Sequence, residues 1–104
     1  MSVDQEGADL FTATAEVTGD GVVVTVTGEV DMSTADGMFR AATKDAAAAA
    51  TLDLRGVTFF DSAAIHALLQ LAEHYGDRLR VHPSAQVRRV LEISGLATQP
   101  WLIG

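Results

Sequence analysis

The chain has 104 residues, with seven Lys+Arg against fourteen Asp+Glu for a formal net charge of −7, and is 48% hydrophobic and 20% charged. This length fits one domain able to bury roughly 60–70% of its unfolded surface, and the composition excludes wholesale disorder. The acidic balance argues against binding nucleic acid or anionic membrane surfaces, which requires clustered Lys and Arg; nine acids and two bases fall in residues 1–52 against five of each in 53–104, so any acidic surface with a role belongs to the first half.

Residues 1–9 are polar, offer nothing to bury and read as a flexible N-terminal segment, leaving 10–104 as the domain. From Leu10 the pattern alternates, with Phe11, Ala13, Ala15 and Val17 on one face and Thr12, Thr14 and Glu16 on the other, a half-buried strand. Thr18-Gly19-Asp20-Gly21 reads as a hairpin turn, and the β-branched run Val22–Thr27 as the second strand. Gly28-Glu29-Val30-Asp31 breaks that run and leads into a helix that Ser33 or Thr34 can cap. Ala35, Met38, Phe39, Ala42, Ala46 and Ala49 give it one apolar face, so Ala46–Ala50 reads as a helix end packed on a sheet.

Thr51–Leu54 is short and apolar enough for a buried strand, and Arg55–Phe60 reads as a glycine-containing connection. Asp61 or Ser62 caps a second helix, with Ile65, Leu68, Leu69 and Ala72 as its buried stripe and Gly76-Asp77 as its end. Leu79-Arg80-Val81 alternates as a strand. Pro83-Ser84 opens a third helix whose Val87, Val90, Leu91 and Ser94 align, and Gly95 stands where a C-terminal helix glycine is expected. Pro100–Ile103 reads as a last short strand, with Trp101 in the core. The order β-β-α-β-α-β-α-β predicts a single α/β domain, with a mixed sheet begun by an antiparallel hairpin and covered by amphipathic helices.

There is no cysteine, hence no disulfide, thiol switch or thiolate metal site. The first ten residues lack the basic-then-apolar layout of a signal peptide, and no apolar stretch approaches the roughly 20 residues of a membrane helix, so a cytoplasmic protein without membrane insertion is expected. His66 and His74 are separated by about 12 Å along a helix, too far to share an ion, and His82 lies on another element. No metal site and no cofactor are expected. Arg78, Arg80, Arg88 and Arg89 form a mild basic patch, balanced by Glu73, Asp77 and Glu92.

Two stretches carry the chemistry. Leu52–Ile65 ends a strand and starts a helix with Asp61-Ser62, where unpaired backbone N–H groups and the helix dipole favour a negative group such as a phosphoryl on Ser62. Gly28–Ala35 places Glu29 and Asp31 before another helix. Each acid or hydroxyl also has a plain reading as a helix cap or a solvated turn. If the two strands run parallel, the loops open at one sheet edge and Asp31 and Asp61 flank Ser62. Like charges roughly 5 Å apart then repel by about 3 kcal/mol at an effective dielectric near 20, less once exposure and salt are counted.

With those residues in view, the chain resembles the bacterial anti-sigma factor antagonists built on the STAS domain. LDLRGVTFFDSAAIHALL looks like that family's aspartate-serine signature and GEVDMSTA like its other characteristic segment. The resemblance implies a non-enzymatic regulator whose Ser62 is a phosphorylation site. Its kinase- and partner-binding surface would comprise Glu29, Asp31, Ser33, Thr34, Asp61, Ser62, Ala63, Ala64 and His66. It further implies that the unphosphorylated form binds an anti-sigma factor that is also a serine kinase, releasing a sigma factor, and that a serine phosphatase reverses the modification. Two departures stand out. Ala63-Ala64 replaces the small polar residue and glycine usual there, and the family's C-terminal helix is missing, an absence that favours self-association as a homodimer. Two other readings use the same residues: a STAS-type docking module without a phosphorylation cycle, such as a transporter accessory subunit, and a serine hydrolase with Ser62 as nucleophile and His66 as base. The latter lacks a G-x-S-x-G elbow and an evident oxyanion hole.

Overall fold

The computed structural model describes residues 11–103, so the expectation for residues 1–9 lies outside the described residues. Strands β1 (Phe11–Thr18) and β2 (Gly21–Val30) form the antiparallel hairpin. Helix α1 (Ala35–Thr43), strand β3 (Ala49–Phe60), helix α2 (Ser62–Tyr75), a 3-10 turn (Gly76–Arg78), strand β4 (Leu79–Pro83) and helix α3 (Ala85–Ile93) follow. The sheet order is β1-β2-β3-β4, with β2, β3 and β4 mutually parallel.

One sheet face makes the core. Val22, Ala50 and Leu79 form one buried row across the parallel strands, and Val24, Leu52 and Val81 the next. Helix α1 packs against β1 and β2, α2 against α1, β3 and β4, and α3 against β3 and β4. Met38, Leu68, Leu71 and Leu91 are the large side chains those helices bring into the core. The opposite face, carrying Thr12, Thr14, Glu16, Thr25, Asp53, Arg80 and His82, contains no buried residue among the described residues. There Asp53 is clasped by the Arg55 guanidinium through two 2.9 Å bonds, which hold its carboxyl below the usual carboxylate range.

Three expectations about where elements end are corrected. Helix α1 stops at Thr43; Ala46 takes a positive φ of 52° in the connection, and Ala49-Ala50 already belongs to β3, because neighbouring β2 offers a parallel partner from Gly21 onward. Strand β2 runs through Gly28–Val30 instead of breaking, with Gly28 at φ 88° absorbing an irregularity that few other residues tolerate. Strand β3 likewise extends through Arg55–Phe60. It accumulates two extra residues against β2, between Asp53 and Gly56 and between Val57 and Phe59. These bulges turn the burial period from two to three, at Leu54, Val57 and Phe60, and so hide the strand from an alternation test. A Cβ at Gly56 would lie 2.9 Å from Thr27 Cγ2, so the glycine lets the bulged strand close on β2.

In α2 the buried stripe is Ala64, Ala67, Leu68, Leu71 and Tyr75, whereas Leu69 is exposed and Ile65 and Ala72 are half-buried. The Tyr75 hydroxyl donates to the Ala42 carbonyl at the end of α1, and burial raises its pKa. Ser84 caps α3 by accepting the Val87 N–H, and the last turn closes through Gly95, with the Leu96 N–H on the Leu91 carbonyl. Ser94 lies past that helix and is exposed. The expected last strand is a single parallel bridge, Val81 to Leu102, beside which Trp101 is buried as expected. Among the described residues, no helix is long and apolar enough to cross a membrane.

Candidate functional site

The ends of β2 and β3 are adjacent, Val30 pairing with Phe60, and the Asp61 N–H donates to the Val30 carbonyl at 3.3 Å. Asp31 and Asp61 are therefore the first residues beyond two neighbouring parallel strands, which run about 4.8 Å apart. Both line one open depression together with Met32, Ser33 and Phe59. The two stretches separated by thirty positions in the chain thus meet at one sheet edge.

The two acids are held differently. Asp61 is the N-cap of α2, and its Oδ1 accepts the Ala64 N–H at 3.1 Å while its carbonyl accepts that of Ile65. Ser62 is then the first helical residue, exposed, and its hydroxyl has no hydrogen-bond partner among the described residues. Asp31 folds onto its own loop: Oδ1 accepts the Ser33 N–H at 2.9 Å and the Ser33 hydroxyl at 2.8 Å. Those two bonds, the hydroxyl first, lower its pKa and keep it ionised. Thr34 Oγ1 accepts the Asp31 N–H and donates to the Glu29 carbonyl, both at 2.9 Å. Neither Ser33 nor Thr34 is therefore the side-chain cap of α1 that the sequence suggests; both are spent on shaping the Asp31 turn.

The remaining candidates fall on two sides. Glu29 is half-buried at the end of β2, and His66 is exposed one turn along α2 from Ser62, without a hydrogen bond to it. Ala63 is half-buried. Ala64 is fully buried, so its methyl belongs to the core, and its N–H is occupied by Asp61. Its side chain is thereby removed from any contact surface, and the extra methyl relative to glycine does not stand in a partner's way.

Two residues that the sequence did not single out complete the depression. Met32 is 85% exposed and Phe59 48% exposed, an apolar pair between carboxylates. A signal for Phe59 existed, since of two consecutive aromatic residues in a strand one must face outward; Met32 is an unbranched apolar residue in an otherwise polar loop. The site thus offers the Ser62 hydroxyl at a helix start, next to a depression lined by two acidic side chains and an exposed apolar pair. Among the described residues no cluster of three or more His, Asp and Glu is placed to hold a metal ion.

Residues 13–104 match the family model described as Mlab, STAS domain. Among solved structures, an anti-sigma factor antagonist from Mycobacterium paratuberculosis is similar with 29% identity over 90% of this chain and 86% of that one, at a TM-score of 0.76. The anti-sigma factor antagonist SpoIIAA in its unphosphorylated form is 22% identical over 88% of this chain and 86% of its own, at 0.73. The Bacillus cell fate determinant SpoIIAA in its phosphorylated form is 24% identical over 89% and 88%, at 0.65. Those last two likenesses are of fold alone. No curated protein matches significantly.

Proposed function

The chain belongs to the STAS-domain family, and from that premise we propose that it acts as an anti-sigma factor antagonist switched by phosphorylation of Ser62. The observation that carries this reading is the exposed Ser62 hydroxyl at the first position of α2, beside the edge where Asp31 and Asp61 meet. In the unphosphorylated state the apolar pair Met32 and Phe59 docks into a partner whose basic groups face Glu29, Asp31 and Asp61. That partner is an anti-sigma factor with serine kinase activity in the cytoplasm, and its capture frees a sigma factor.

Phosphorylation follows from the same encounter. The Ser62 oxygen attacks the γ-phosphoryl of ATP bound to the kinase, its proton is lost, and ADP leaves. The product carries roughly −1.5 to −2 additional charge beside two carboxylates. The free N–H groups of the first α2 turn accommodate one phosphoryl oxygen or two, but the Ala64 N–H is already committed to Asp61. Repulsion from the acids and the new bulk disfavour the former complex by the few kcal/mol that separate tight from weak binding. Hydrolysis by a serine phosphatase, with water as nucleophile, restores the hydroxyl.

This role makes the chain a substrate and a partner, with no catalysis of its own. A docking module without phosphorylation uses the same surface but leaves the exposure of Ser62 without a purpose. Phosphopeptide mass spectrometry of the protein recovered from its source cells is the test. A phosphoryl group on Ser62, absent from a Ser62→Ala strain, is expected; modification solely at other hydroxyls, or none under any growth condition, contradicts the proposal.

A further inference from the structure

The sheet has two edges, and they are finished differently. At β4 the chain closes the edge on itself, with the Val81 N–H on the Trp101 carbonyl at 2.8 Å and the Ile103 N–H on the Val81 carbonyl at 2.9 Å. At β1, among the described residues, nothing pairs on the side away from β2. This strand, Phe-Thr-Ala-Thr-Ala-Glu-Val-Thr, carries no lysine, no proline and no bulge in its register with β2, and a single charge, Glu16, among the devices that blunt an open edge.

Hairpin geometry fixes which groups face outward. Thr18 and Gly21 flank a two-residue turn and form a hydrogen-bonded pair, so Glu16, Thr14 and Thr12 also spend their N–H and C=O on β2. The N–H and C=O groups of Phe11, Ala13, Ala15 and Val17 therefore point away from the sheet. Their side chains lie on the helix-covered face, yet Phe11, Ala13 and Ala15 are only half-buried and Val17 is 56% exposed.

From this we infer that β1 pairs antiparallel with β1 of a second copy, on a two-fold axis at Thr14, to give a continuous eight-stranded sheet. The strand is complementary to itself in that register. Phe11 faces the partner's Val17, Ala13 faces Ala15, and all eight outward backbone groups find partners. Glu16, the strand's one charge, faces Thr12 of the second copy, so no like charges meet. Shifting by one residue would place apolar side chains on the polar face, and centring on Glu16 would oppose two carboxylates. Because the axis inverts strand direction, the two Ser62 sites lie at opposite ends of the dimer and both stay open. The inference is independent of any role for Ser62.

The experiment uses the full chain, which has no native cysteine. In the proposed register Thr14 meets Thr14 as a non-hydrogen-bonded pair with Cα atoms about 4.5 Å apart, within the range of a disulfide, while Thr12 is four residues from its own counterpart. Under mild oxidation Thr14→Cys is expected to give a covalent dimer and Thr12→Cys to stay without a disulfide cross-link. The wild type is expected to double its mass with rising concentration in analytical ultracentrifugation. Val17→Lys, at an exposed position, is expected to weaken that association at least tenfold while leaving the melting temperature of the monomer unchanged. A wild type that stays monomeric at every concentration, equal cross-linking of the two cysteine variants, or a dimer indifferent to Val17→Lys overturns the inference.

Discussion

Asp31 and Asp61 precede helices in the same way in the sequence, yet they do different work. Asp61 caps α2 through the Ala64 N–H, so Asp61→Ala is a stability change of about 1 kcal/mol before it is a change of surface. Asp31 supplies a single oxygen, Oδ1, to the two Ser33 donors. Asparagine retains such an oxygen and loses the charge, whereas alanine loses both. Asp31→Asn is therefore expected to keep the fold with a small loss of melting temperature at neutral pH and to weaken partner recognition, while Asp31→Ala lowers the melting temperature further; thermal melts beside binding assays separate the two. The sign with pH follows from the lowered carboxyl pKa, caused first by the Ser33 hydroxyl and then by its N–H. The stability it contributes is complete above the unfolded value of about 3.9 and is lost as pH falls through the lower folded value. The melting temperature of the wild type is thus expected to converge on that of Asp31→Asn only in acid, and a difference that persists unchanged at the lowest pH contradicts this account. Ser62→Ala removes an exposed hydroxyl with no hydrogen bond among the described residues, and is expected to alter stability by no more than about 0.5 kcal/mol.

At the scale of elements, legibility followed periodicity. The β1–β2 hairpin, the Ser84 cap, the Gly95 stop and the Asp61-Ser62 helix start were readable because each rests on a local rule of alternation, capping or turn chemistry. The second half of β3 was not, since its two bulges replace alternation with Leu54, Val57 and Phe60. The end of α1 is not legible locally, because alanine favours a helix and only the neighbouring β2 strand recruits Ala49-Ala50 into the sheet. The buried stripe of α2 is not set by side-chain size: small Ala64 and Ala67 are buried, while larger Ile65 and Leu69 turn partly outward. Gly56 shows what the bulges require. Gly56→Ala is expected to cost about 1–3 kcal/mol through the 2.9 Å approach to Thr27 Cγ2, and Thr27→Ala in the same chain to recover part of it. Denaturant titrations of the four chains measure this coupling, and strict additivity would show that the contact is not the cause.

For the whole molecule, the decisive feature is a sheet with one covered face and parallel strands that end together. That topology turns Gly28–Ala35 and Leu52–Ile65, well apart in the chain, into one surface at the ends of β2 and β3. The sequence could show two acidic helix starts and their family resemblance, but not the apolar pair between them, because the exposure of Met32 and Phe59 is a property of the assembled edge. In the proposed switch, the two acids around an apolar anchor suit a partner with a basic rim, and a phosphoryl group on Ser62 would reverse the match by charge and bulk. The most direct measurement is parallel capture from the source cell's lysate on full-length Ser62→Ala and Ser62→Glu baits, read by mass spectrometry. A serine-kinase ATPase retained by the alanine bait and lost from the glutamate bait is the predicted result; the same partners on both baits would contradict the switch.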